Sequence, residues 1–86
     1  MTDVDLHRFA TQLVQLKLKE TDLAVALIWY QQRLNPEFDT TAGELARLMG
    51  QLGLVKSAIN TGRLSSNLHQ HPATAKGRSI GRYRIG

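Results

Sequence analysis

Eight consecutive apolar residues, Leu23 to Tyr30 (LAVALIWY), constrain this chain more than any other stretch. A helix with apolar side chains on nearly every side has no face to give to water, so it belongs at the centre of a domain. The run is far short of the roughly 20 residues that span a bilayer. The expectation is a core helix in a soluble protein. Thr21 offers an N-cap, and Asp22 falls in the first turn, where a carboxylate suits the helix dipole. The helix is predicted to stop near Leu34, because Asn35 precedes Pro36 and is pushed out of the α region. Leu23, Leu27, Tyr30 and Leu34 form one stripe, widened by Ala24, Ile28 and Trp29. Trp29 and Tyr30 are expected as core aromatics.

With 86 residues, this helix has room for only one domain around it. Cysteine is absent, which excludes disulfides, thiolate metal sites and cysteine nucleophiles. The N-terminus, MTDVDLHRF, carries Asp3 and Asp5 where a secretory signal is basic and then apolar. A cytoplasmic location is expected, nucleoid-associated if the chain binds DNA. In residues 4–19, Leu6, Phe9, Leu13 and Leu16 are spaced by three, four and three, one face of a helix that Thr2 or Asp3 can cap. The tail of this segment, VQLKLK at residues 14–19, alternates with period two, which leaves a short strand open beyond a helix that runs to about Leu16. Residues 1–20 therefore read as an amphipathic N-terminal helix that packs on residues 21–86 or makes a homodimer.

Beyond Pro36 a loop, PEFDT, leads to Thr41-Ala42-Gly43-Glu44, a capping box that starts a helix. Leu45, Leu48, Met49 and Leu52 form its apolar face, and Gly53 fits its C-terminal end. Gly50 inside it costs about 1 kcal/mol relative to alanine, which implies an early end or close packing. A fourth helix lies between Ser57 and Gln70. Ser57, Asn60 and Thr61 are all competent caps. A start near Asn60 or Thr61 is preferred, because an earlier one turns Ile59 outward. Leu64 and Leu68 point inward, Arg63, Ser66 and Gln70 point outward with Asn67 at the flank, and Pro72 closes the helix. The remainder, ATAKGRSIGRYRIG, reads as a β-hairpin. Ala73 and Ala75 alternate with Thr74 and Lys76, and Tyr83 and Ile85 with Arg82 and Arg84, which predicts one apolar face and one basic face.

Charge divides the chain sharply. Residues 1–55 hold five basic and seven acidic side chains, and Glu44 is the last acid. Residues 56–86 hold Lys56, Arg63, Lys76, Arg78, Arg82 and Arg84 and no carboxylate side chain. Such a bias points to a polyanionic partner. The bland alternative is a solvated basic surface, with hairpin charge protecting a strand edge.

The order of a central helix, a short capped helix, a turn, a polar helix and a basic hairpin resembles a winged helix-turn-helix domain over residues 21–85. TTAGELARLMG, with Ala46 between Leu45 and Leu48 and Gly50 beyond, fits the local pattern. QLGLVKSAIN makes a longer turn than the simple motif has, and Gly53 is an alternative turn glycine. The resemblance implies a mostly α fold with a small β-hairpin: a three-helix core, a C-terminal wing and an additional N-terminal helix. It further implies that helix 61–70 enters the major groove and the wing meets the phosphate backbone.

The expected function is DNA binding, as in a small transcriptional regulator, with double-stranded DNA as partner and a homodimer through the N-terminal helix as an option. The alternative is a protein-docking winged helix. The candidate contacts are Lys56, Thr61, Arg63, Ser66, Asn67, Gln70, Lys76, Arg78, Arg82 and Arg84. Arginine pairs with guanine and asparagine or glutamine with adenine, while hydroxyls and cations hold phosphates. No metal or cofactor is expected, because His69 and His71 lack neighbouring ligands. No enzymatic activity is expected either: Ser65, Ser66 and His69 share a helix with no acid to orient the histidine.

Overall fold

The computed structural model describes residues 3–55, 57–77 and 81–86. The chain runs α1 (Asp3–Gln15), α2 (Glu20–Leu34), β1 (Thr40–Thr41), α3 (Ala42–Gln51), α4 (Thr61–Gln70), β2 (Thr74–Lys76) and β3 (Arg82–Ile85). Among the described residues the architecture is mostly helical, with four helices and one small antiparallel sheet of order β1-β3-β2. No described helix is long and apolar enough to cross a membrane.

The apolar run sits at the centre as its composition requires. α2 packs on α3, α4 and β3, and Ala24, Leu27 and Ile28 are fully buried. Leu45, Met49, Leu64 and Leu68 complete this core. Each such side chain contributes on the order of 2 kcal/mol on removal from water. α1 adds Leu6, Ala10 and Leu13, and its Phe9 stacks on Tyr30 with ring centroids 4.5 Å apart.

Trp29 departs from the expectation. It is 43% exposed, tilted against Phe9 and covered by the Arg33 guanidinium 4.9 Å from its ring centroid. Helical geometry turns it about 100° from the fully buried Ile28, to a side where it meets Phe9 and Arg33 and borders an open depression with Ile85. Leu34 is also exposed, at the last position of α2. Leu16 is exposed too, because α1 ends at Gln15 and Lys17 turns the chain with φ 53°. No strand follows it.

The caps explain the element boundaries. Thr21 is inside α2; Lys19 occupies the N-cap and makes no side-chain cap. Thr41 and Glu44 form the reciprocal capping box, with the Glu44 amide donating to Thr41 Oγ1 at 3.1 Å and the Thr41 amide to Glu44 Oε1 at 3.2 Å. Asn60 caps α4 by accepting from the Arg63 amide at 3.0 Å. Gly53, at φ 71°, lets the chain turn out of α3. Gly50 neither ends that helix nor packs closely, since a Cβ there meets nothing within 4 Å.

Two features of the sheet differ from the sequence expectation. The PEFDT loop runs into a strand, β1, which pairs with β3 through Thr40↔Tyr83 and Thr41↔Arg82. β3 is therefore central. The hairpin register pairs Lys76 with Tyr83, Ala75 with Arg84 and Thr74 with Ile85. Residues directly opposite each other project to the same side of a sheet. Lys76 thus shares the Tyr83 side, while Arg82 and Arg84 share the Ala75 side. The expected single basic face does not form, because the pairing is one residue out of step with it.

Candidate nucleic-acid interface

α4 presents Arg63, Ser66, Asn67 and Gln70 at positions i, i+3, i+4 and i+7, and all four are exposed. This spacing makes one stripe on the helix. Leu64 and Leu68 hold the opposite side in the core. Thr61 is exposed at the first turn, beside the Asn60 cap. Lys56 and Arg78 lie outside the described residues.

The hairpin is fastened to the flank of α4. Tyr83 is buried, and its hydroxyl donates to the Ser65 carbonyl at 3.2 Å. The Ser65 hydroxyl is then left to donate to the tyrosine oxygen at 2.6 Å. Thr74 Oγ1 bonds the carbonyls of Leu68 and His71 at the other end of the helix. Between α4 and the hairpin lies an open cleft of about 410 Å³, lined by Ser65, His69, Thr74, Ala75, Lys76, Gly81, Arg82 and Tyr83. No carboxylate lines it among the described residues. His69 and Lys76 stand exposed at its rim.

The arginines on the other side of the sheet are engaged within the fold. Arg82 Nε donates to Asp39 Oδ1 at 2.7 Å, and its Nη2 reaches the Asp39 carbonyl at 3.1 Å. The same Nη2 is 3.6 Å from Glu44 Oε1. The Asp39 side chain is only 4% exposed, so this cation serves a buried carboxylate. Hydrogen bonding to Asp39 raises the Arg82 pKa, and burial opposes the shift only in part. Gly77 is required at the same corner, because a Cβ there would lie 2.8 Å from Asp39 Oδ2 and 3.0 Å from Arg82 Cβ. Arg84 Nη2 donates to the Pro36 carbonyl at 2.9 Å.

Glu44 is held below its ordinary pKa. The Thr41 amide bond contributes most and the Thr40 hydroxyl next; burial opposes them, and the Arg82 and Arg47 charges add smaller contributions in the lowering direction. Arg63 also has a partner, with Nη2 3.0 Å from Glu20 Oε2 at the start of α2. His71 is committed as well. Its Nδ1 accepts from the Ala73 amide at 3.1 Å, which leaves Nε2 to face Asp22 Oδ1 at 3.4 Å. No group of three or more metal-binding side chains occurs among the described residues.

The structure therefore brings Arg63, Ser66, Asn67 and Gln70 together on α4 and sets Lys76 across the cleft. Arg82 also borders that cleft but its guanidinium is bound to Asp39 and faces Glu44, and Arg84 is bound to the Pro36 carbonyl. The partners Glu20, Asp39 and Glu44 were missed from sequence, since a count of charges does not reveal which carboxylate meets which cation. Comparison with protein-family models, curated proteins and solved structures found no match to this chain.

Proposed function

We propose that the chain is a winged helix-turn-helix module that binds double-stranded DNA through α4. The observation that carries this reading is the outward stripe of α4, which consists entirely of base-pairing and phosphate-binding side chain types in a stretch without acids. Arg63 suits guanine, Asn67 and Gln70 suit adenine, and Ser66, Thr61 and the first amides of the helix suit phosphate. The order of α2, α3, α4 and the hairpin supports the winged arrangement, with α3 behind the presented helix and the hairpin at its flank.

The wing's part narrows to Lys76 among the described cations. It stands exposed at the cleft beside α4, whereas Arg82, which borders the same cleft, and Arg84 stitch β3 to residues 36–44. Lys56 and Arg78 remain candidates on sequence alone. A homodimer remains part of the proposal, because a two-fold complex matches paired half-sites. Regulation of transcription is the role this binding would serve.

A protein-docking winged helix is the second reading. The described hairpin cations divide between two faces, and Arg63, Arg82 and Arg84 already have partners in the fold. Anisotropy titrations of duplex DNA, single-stranded DNA and RNA at two salt concentrations separate the readings. The DNA reading expects duplex affinity that is roughly micromolar or tighter at low salt and falls steeply as salt rises. Absence of binding to any nucleic acid at low salt would favour protein docking.

A further inference from the structure

We propose that Glu20 is a positioning residue that turns Arg63 from a phosphate-seeking cation into an oriented base reader. The inference rests on the DNA-binding reading and assigns a specificity device within it.

Three observations carry it. Glu20 Oε2 binds Arg63 Nη2 at 3.0 Å, while the Arg63 side chain stays 62% exposed on the outward stripe of α4. A guanidinium has five N–H donors in a rigid fork, so this contact occupies one edge position and leaves donors directed outward. Glu20 Oε1 is buried and has no hydrogen-bond partner among the described residues. Were Arg63 to swing to a phosphate, both oxygens of a partly enclosed carboxylate would be left unpaired, with a second negative charge close by. The carboxylate therefore holds its arginine in place.

The electrostatic consequence is specific. A tethered pair carries no net charge, so Arg63 adds little to the salt-dependent attraction of a polyanion. Its contribution is geometric and falls on base discrimination. Lys76, an exposed cation, has the opposite profile.

Duplexes selected from a randomised pool give the test, using the native protein, Glu20→Gln, and the charge-neutral double variant Glu20→Gln/Arg63→Gln. The native protein should select a base preference that both variants lose, by about fivefold or more per contacted pair. Glu20→Gln should steepen the dependence of log affinity on log salt by about 0.9, and the double variant should leave that slope unchanged. In the free protein, NMR relaxation of the Arg63 Nε–H should show an ordered side chain that loosens in Glu20→Gln. A Glu20→Gln protein with the native base preference, or an Arg63 side chain equally mobile in both proteins, would overturn the proposal while leaving DNA binding intact. Failure of the native protein to bind any duplex would overturn the DNA-binding reading and this inference together.

Discussion

The hydroxyl of Tyr83 lies 2.6 Å from the hydroxyl of Ser65, and this contact fixes the central strand to the flank of the presented helix. Tyr83→Phe removes it together with the bond to the Ser65 carbonyl, yet keeps the ring that fills the core. The expected loss is about 1–2 kcal/mol of stability by urea unfolding. Slower-exchanging amides of β3 should become less protected, because the sheet loses its tie to α4.

Arg82 behaves as a structural cation. Arg82→Ala takes the guanidinium from the nearly buried Asp39 carboxylate and should lower the urea midpoint clearly. Lys76→Ala should unfold at nearly the native urea concentration, because Lys76 is exposed. Its effect should appear instead in duplex affinity, as a salt slope reduced by about 0.9. Equal stability losses in the two variants would remove the distinction between the two sides of the hairpin.

Acid should weaken the fold through Glu44. Its folded pKa is depressed, so its contribution is fully present above the ordinary carboxylate range and is lost as pH falls through the folded value. Melting temperature should therefore fall on acidification. Glu44→Gln should make that fall shallower, and an unchanged pH profile in the variant would contradict the capping and charge contacts assigned to Glu44.

Gly50→Ala should stabilise the protein by about 0.5–1 kcal/mol. The position is helical, its Cβ meets nothing within 4 Å, and alanine restricts the unfolded chain. A rise in the urea midpoint checks this.

Local chemistry made much of the fold legible in the sequence. The Thr41–Glu44 box and the Asn60 cap act over three residues, and the sequence contains both ends of each interaction. The inward pair Leu64 and Leu68, and with it the outward stripe of α4, follows from helical spacing. β1 was hidden because Thr40 and Thr41 become a strand only through Tyr83 and Arg82, far along the chain. The hairpin faces were misjudged for a related reason: alternation defines two faces on each strand, but register decides which faces combine. The site was obscured at longer range still, because the Glu20–Arg63 and Asp39–Arg82 pairs each bridge 43 residues. Trp29 shows the limit of an all-apolar helix, whose pattern does not say which side will lack a neighbour.

The most direct test of the central claim is an amide NMR titration of the native protein with duplex DNA at low salt. Shifts should concentrate at Arg63, Ser66, Asn67, Gln70 and Lys76, with residues around Trp29 and Arg33 on α2 unmoved. Shifts confined to α2, or none at saturating duplex, would contradict the assignment of α4 as the DNA-reading helix.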